Sequence, residues 1–205
     1  MIITNAIPKR KGLSDLYIDG EFAIKIDTET FLVSKFSVGS QIDDQQLKEL
    51  IESSNIKRAK EKALSLISYR DHSKKELESK VRNCSDKDSA KKAVEKLESV
   101  GLVDDEKFAR NYAQQLLFVK HYSKKGAKYK LIEKGIDRDL ADSVLEEIDF
   151  DSQEHIKIFI ERKYHNLSDE KTRRRAVSAL QRKGYSWSDI KAVIDEFIEE
   201  EYYEE

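Results

Sequence analysis

The chain has 205 residues, of which 38% are charged, with seven Gly, one Pro, one Cys and a net charge of −2. So few Gly and Pro exclude a many-stranded sandwich or barrel, which needs a turn signal about every 8–12 residues. The single Cys84 excludes a disulfide framework and a Cys-based zinc site and fits a reducing, cytoplasmic compartment. No apolar run approaches the ~18 residues of a membrane span, and the N-terminus has no basic start followed by a long apolar stretch, so no signal peptide is expected.

The first 40 residues alternate. Leu16, Ile18, Phe22, Ile24 and Ile26 share one parity around Asp19-Gly20, a dipeptide suited to a hairpin turn whose two positions need positive φ. Ile2-Ile3-Thr4 can add a third strand. Asp27-Thr28-Glu29-Thr30 then opens a short helix through Phe31, Leu32 and Phe36. A sheet this small must pack on something larger.

From Asp43 the apolar period becomes helical. Leu47, Leu50 and Ile51 mark one short helix, and Ile56, Ala59, Ala63, Leu64 and Ile67 mark the next. About nine helices are predicted between residues 56 and 200, near 56–69, 74–83, 86–100, 105–120, 124–134, 138–148, 151–164, 169–183 and 187–200. Ser73-Lys74-Lys75-Glu76 has the capping-box form. Gly101, Gly135 and Gly184 each follow a Leu by four residues, where Gly supplies the left-handed residue that closes a helix.

The helices repeat. Placing 73 on 123 aligns two Ser-Lys-Lys segments; placing 135 on 184 aligns Leu131-x-x-x-Gly135 with Leu180-x-x-x-Gly184. The unit is three helices and about 50 residues long, and Ser85 stands where the later copies have Gly. A competing register puts 101 on 184. The expected fold is mainly α: tandem three-helix repeats in an elongated, curved array behind a small N-terminal sheet. The expected division is 1–50 (strand-bearing extension), 51–104, 105–149 and 150–205 (three-helix repeats).

Near-zero net charge hides segregation. Residues 1–55 carry −3 and residues 56–149 carry +4, while Glu199 to Glu205 hold five acids in seven residues. That tail reads as a solvated helix end on a basic body. In the preferred register the second helix of each unit begins with a basic pair: Lys74-Lys75, Lys124-Lys125 and Arg173-Arg174. Lys120, His121, Lys124, Lys125, Lys128, Lys130 and Lys134 run with one acid, Glu133; Lys171, Arg173, Arg174, Arg175, Arg182 and Lys183 run with none. Cations in a first helical turn oppose the helix dipole, so the fold gains little from them. A polyanionic partner, nucleic acid or an acidic protein groove, would gain. The candidate contact residues are Lys74, Lys75, Lys124, Lys125, Lys128, Lys130, Arg173, Arg174 and Arg175. Tyr112, Tyr122, Tyr129, Tyr185 and Trp187 lie among these clusters and suit core anchoring better than base stacking.

Catalytic signals are weak. His72, His121, His155 and His165 form no i, i+4 pair flanking a Glu, and no Gly-rich phosphate loop exists. Asp43-Asp44 and Asp104-Asp105 suit helix capping better than Mg²⁺ binding. Gly126 is an outlier inside a predicted helix, read as tolerated there or as permitting a close backbone approach. No enzyme activity, cofactor or metal is expected.

The segments Ala63-Leu64-x-x-Ile67-x-x-Arg70-x-x-Ser73-x-x-Glu76-Leu77-x-x-Lys80 and Leu97-x-x-x-Gly101-Leu102-Val103-Asp104-Asp105-x-x-Phe108-Ala109 resemble the signature of the RecX regulatory proteins. The resemblance covers roughly residues 56–200. It implies a non-catalytic modulator of the RecA recombinase that lodges in the groove of the RecA–DNA filament and lowers its ATPase and strand-exchange activity. The implied partners are RecA and DNA, met by a monomer with no membrane association. Arg70, Leu97, Gly101, Asp105 and Phe108 are assigned to structure. A stand-alone nucleic-acid-binding helical protein is the alternative reading.

Overall fold

In the computed structural model, residues 1–164 and 166–203 are described, with side chains through Glu199 except at His165. His165, Glu204 and Glu205, and so the end of the acidic tail, lie outside the described residues. The chain divides into two compact units, residues 1–104 and 105–205.

The first unit opens with an antiparallel sheet of β1 (Ile3–Pro8), β2 (Leu13–Ile18) and β3 (Glu21–Asp27), in that spatial order. Asp19 (φ 52) and Gly20 (φ 88) form the β2–β3 turn, both in the left-handed region that a two-residue hairpin favours. Ile3, Leu16, Ile18 and Ile26 are buried. Phe22 departs from the expected parity: it is exposed and packs edge-on against Tyr17, with centroids 6.0 Å apart. The register explains this. Leu16 opposes Ile24 but Tyr17 opposes Phe22, so an extra residue in β3 moves Phe22 to the solvent face.

Helix α1 (Thr28–Val33) is capped by Asp27, whose side chain accepts from the Thr30 N–H at 2.7 Å. It stops before Phe36, earlier than the sequence pattern suggests. Burial alone would raise the Asp27 carboxyl; the Thr30 N–H and hydroxyl and the Lys57 ammonium 3.0 Å away outweigh it and hold the carboxyl below its ordinary value.

Helix α2 (Asp44–Ile67) is one unbroken helix of 24 residues. The two short helices read from the sequence are therefore one. Ser53-Ser54-Asn55 suggests a break, because Ser and Asn compete for backbone hydrogen bonds. Here those side chains are engaged elsewhere. Ser54 is buried and its Oγ accepts from the Asp27 N–H at 2.7 Å, while Asn55 donates to the Asp86 carboxylate at 2.9 Å. Helix α2 thus serves two cores: Leu50 joins the sheet residues, and Ala59 and Ala63 join helices α3 (Lys74–Val81) and α4 (Lys87–Ser99). Ser73 Oγ caps α3 by accepting from the Glu76 N–H at 3.1 Å, and the Glu76 carboxylate takes both Nη groups of Arg70. In the absence of a closing Gly, α3 ends with the Cys84 N–H and Ser85 hydroxyl both donating to the Val81 carbonyl.

The second unit holds two three-helix groups. Helices α5 (Asp105–Gln114), α6 (Lys124–Glu133) and α7 (Arg138–Glu146) enclose Phe108, Leu116, Leu117, Leu131 and Val144. The single helix expected over 105–120 changes at Gln115 into a π-helical turn, Gln115–Val119. The wider turn lets adjacent Leu116 and Leu117 both reach the core, and leaves Phe118 and Val119 exposed. Helices α8 (Ser152–Lys163), α9 (Glu170–Arg182) and α10 (Trp187–Tyr203) enclose Ile156, Phe159, Ile160, Leu180 and Ile190.

The fold is thus mainly helical, with three-helix groups in series behind a three-stranded antiparallel sheet. Gly135 (φ 91) and Gly184 (φ 89) both follow a second helix, whereas Gly101 (φ 74) follows a third. This supports the register that pairs 135 with 184. No described helix is long and apolar enough to cross a membrane.

Candidate functional site

The candidate basic residues lie on the second helices α3, α6 and α9. Lys74 and Lys75 open α3, and Lys124 and Lys125 open α6 with no acid in the first turn. Helix α9 differs: Asp169 caps it and Glu170 occupies its first turn, so Arg173 and Arg174 sit a turn further in. The dipole argument therefore applies to Lys74-Lys75 and Lys124-Lys125 but not to Arg173-Arg174.

Several of these cations already have acidic neighbours. Lys74 pairs with Glu98 at 2.5 Å, a hydrogen bond that raises the ammonium's affinity for its proton. Lys128 pairs with Asp142 at 2.5 Å, Lys130 with Glu133 at 2.7 Å, and Arg174 with Glu170 at 2.5 Å. Such exposed pairs are worth about 0–1 kcal/mol each, but they reduce the charge offered outward. Lys75, Lys124, Lys125, Arg173 and Arg175 have no ion pair among the described residues.

On α9, Lys171, Arg175, Ser178 and Arg182 are spaced i, i+4, i+7 and i+11 and so share a face. With Arg174, Glu170 and Tyr164 they line a groove of about 580 Å³, four cations against one carboxylate. The sequence clusters contain Lys171 and Arg182, but their helical spacing is what joins them to Arg174 and Arg175. A second hollow, of about 570 Å³, lies between α9 and α10, where Arg173 and Lys191 flank exposed Trp187. Lys124, Lys125 and Lys128 line a smaller one, about 270 Å³, between α6 and α7. Of the aromatic residues, Tyr129 and Trp187 are exposed, Tyr185 is buried, and Tyr112 and Tyr122 pack against the α5–α7 core.

Gly126 makes a close approach to the protein's own backbone. The Lys183 carbonyl at the end of α9 accepts from the Ser123 N–H at 3.1 Å, and the Gly126 N–H donates to Ser123 Oγ at 3.0 Å. A Cβ on Gly126 would lie 2.0 Å from the Lys183 carbonyl oxygen. The C-terminus of α9 therefore abuts the N-terminus of α6, and only Gly fits between them.

The acidic pairs have capping positions. Asp43 caps α2 in a reciprocal capping box with Gln46, and Asp105 lies in the first turn of α5. Among the described residues no His, Cys, Asp and Glu side chains gather into a potential metal site.

These features define a class: three-helix domains in series behind a small sheet, with uncompensated positive charge concentrated on second helices. The chain matches models of the second and third three-helix domains of RecX, over residues 104–145 and 151–194. It is 29% identical to the regulatory protein RecX of Clostridium acetobutylicum over 94% of this chain and 93% of that one. It is 26% identical to that of Clostridioides difficile over the full length of both. A crystal structure of RecX from Lactobacillus salivarius superposes with a TM-score of 0.54 at 25% identity, covering 70% of this chain and 97% of that one. A second crystal structure of a regulatory protein RecX has the same fold, with a TM-score of 0.60 at 21% identity over 95% and 98% of the two chains. The chain is thus similar to RecX regulatory proteins along its full length, and its last two three-helix groups match RecX domain models.

Proposed function

We propose that this protein is a non-catalytic regulator that binds the RecA–DNA filament and lowers its ATPase and strand-exchange activity. The similarity to RecX regulatory proteins supports a regulatory role. The observation that carries the polyanionic partner is the α9 groove, where four cations face one carboxylate. Phosphates attract such a surface at long range, and contact releases counterions. Lys75, Lys124, Lys125, Arg173 and Arg175 add positive charge with no ion pair among the described residues. The protein acts as a cytoplasmic monomer, and its three-helix repeats occupy residues 51–104, 105–149 and 150–205.

The test is the DNA-dependent ATPase of RecA with and without the protein, at fixed salt. Replacing Lys124, Lys125, Arg173 and Arg174 with Glu is expected to leave the helical circular dichroism unchanged and to weaken inhibition at least about tenfold, since each lost phosphate contact costs affinity. Full inhibition by the folded variant would refute these contacts. No effect of the wild-type protein on RecA would refute the function.

A further inference from the structure

Two buried imidazoles lie where the α5–α7 group meets the α8–α10 group, within the second unit. His121 follows the π-helical turn and His155 lies on α8; their ring centroids are 6.3 Å apart. Both are buried, and the Nδ1 atom of each is buried with no hydrogen-bond partner among the described residues. His121 also holds φ at 51°, a conformation that costs energy in a side chain of this kind and concentrates at functional sites.

Around the pair stand Lys120, Arg162, Lys163 and Lys183. None has an ion pair among the described residues. The Lys163 and Lys183 ammonium groups lie 5.1 and 5.2 Å from the centre of the same Phe159 ring, Lys183 also lies 4.5 Å from that of Tyr122, and Lys120 lies 5.5 Å from that of Tyr112. The Lys183 Nζ donates to the Lys120 carbonyl. On the His155 side of the pair the half-exposed Phe118 ring packs 5.3 Å from His155, and Phe150 stacks on His155 at 4.4 Å. Cations grouped on one side of the imidazole pair and an exposed aromatic ring on the other supply the two elements that hold single-stranded nucleic acid, charge for phosphate and a ring for a base.

We propose that Lys120, Arg162, Lys163 and Lys183 form a phosphodiester site for single-stranded nucleic acid, with Phe118 as its stacking platform, and that occupancy is coupled to protonation of His121. The charge balance supports this. Burial holds His121 below its ordinary value, and Arg162, His155, Lys183 and Lys163 act in the same direction. Lys183 is lowered likewise, by burial and then by Lys163 and Lys120. A phosphate among these cations weakens the positive field at His121, so binding favours uptake of a proton there. By linkage, affinity then rises as pH falls. The inference rests on the polyanion-binding part of the reading above and is independent of RecA.

The probe is a fluorescein-labelled oligothymidylate, titrated with the full chain at fixed salt at pH 7.5 and pH 5.5. A single linked proton limits the change to tenfold per pH unit; about fivefold tighter binding at the lower pH is expected. His121→Asn, which tolerates the left-handed backbone, should reduce that ratio to below about twofold. Arg162→Gln with Lys163→Gln changes only exposed side chains and should weaken binding at both pH values. The His121 imidazole resonance of the wild type should titrate at higher pH when the oligonucleotide is bound. Unaltered pH dependence in His121→Asn, unaltered affinity in the double variant, an unmoved His121 titration, or equal binding of an oligoglutamate peptide would each overturn the proposal. If the Glu variant above retains RecA inhibition while this pH-linked binding persists, the contacts proposed for RecA fail and this site stands.

Discussion

Replacing Gly126 with Ala sets two effects against each other. Gly126 lies inside α6, where Ala is worth about 1 kcal/mol more than Gly by helix propensity alone. The new Cβ would lie 2.0 Å from the Lys183 carbonyl oxygen and 2.9 Å from its carbon. Both are backbone atoms at the end of a helix, so no flexible side chain can swing aside. Relief requires α9 to move away from α6, which strains the contact by about 1–3 kcal/mol or more. The movement also breaks the bonds from the Ser123 N–H and hydroxyl to that carbonyl, at about 1 kcal/mol each. The expected net destabilisation of the second unit is about 2–4 kcal/mol, from clash and lost bonds minus the propensity gain. Urea unfolding followed by circular dichroism would measure it, with exposed Lys125→Ala on the same helix as the control, expected within about 0.5 kcal/mol of wild type. A Gly126→Ala protein as stable as wild type, or more stable, would show that propensity governs this position and that the α6–α9 contact is not tight.

Two further predictions concern the first unit. Ser54→Ala removes the acceptor for the buried Asp27 N–H and should destabilise this unit by about 1–3 kcal/mol, with faster hydrogen exchange at the Asp27 amide; unchanged exchange would remove Ser54 as the link between sheet and helix. Asp86 caps α4, and the Ser89 N–H, followed by the Ser89 hydroxyl and Asn55, brings its carboxyl to about 2 from an ordinary 3.8. Its stabilising effect is complete above the unfolded value and is lost as pH falls through the folded one. The urea midpoint of wild type should therefore fall more steeply than that of Asp86→Asn between pH 4 and pH 2, and parallel curves would contradict this role.

The local features were legible because their causes are local. The Asp19-Gly20 turn, the Ser73 cap and the closing Gly residues each act within a few positions. The features that were not legible depend on distant partners. The continuity of α2 through Ser54 and Asn55 was not legible because their partners, Asp27 and Asp86, lie 27 and 31 residues away. Gly126 reads equally as a tolerated defect or as a place of close backbone approach, and only Lys183 beside it decides between them. The candidate basic residues show the same limit: sequence density marks the second helices as positive, yet Lys74 and Lys128 are paired with Glu98 and Asp142, 24 and 14 residues away. The i, i+4, i+7, i+11 stripe from Lys171 to Arg182 was open to sequence reasoning; adjacent pairs such as Arg173-Arg174 drew attention to neighbours that point in different directions.

The meeting of α9 with α6 also bears on how this protein can meet an anion. A helix beginning is often a ready anion receptor, because its free N–H groups and dipole converge on one point. At α6 that place is taken by a carbonyl of the chain itself. Lys124 and Lys125 therefore stand over a receptor that is already filled, and a phosphate beside them is met by flexible side chains alone. Attraction of this kind has little directional preference, so contact here would depend strongly on salt, be indifferent to base sequence, and let the protein shift along a charged strand without losing its hold.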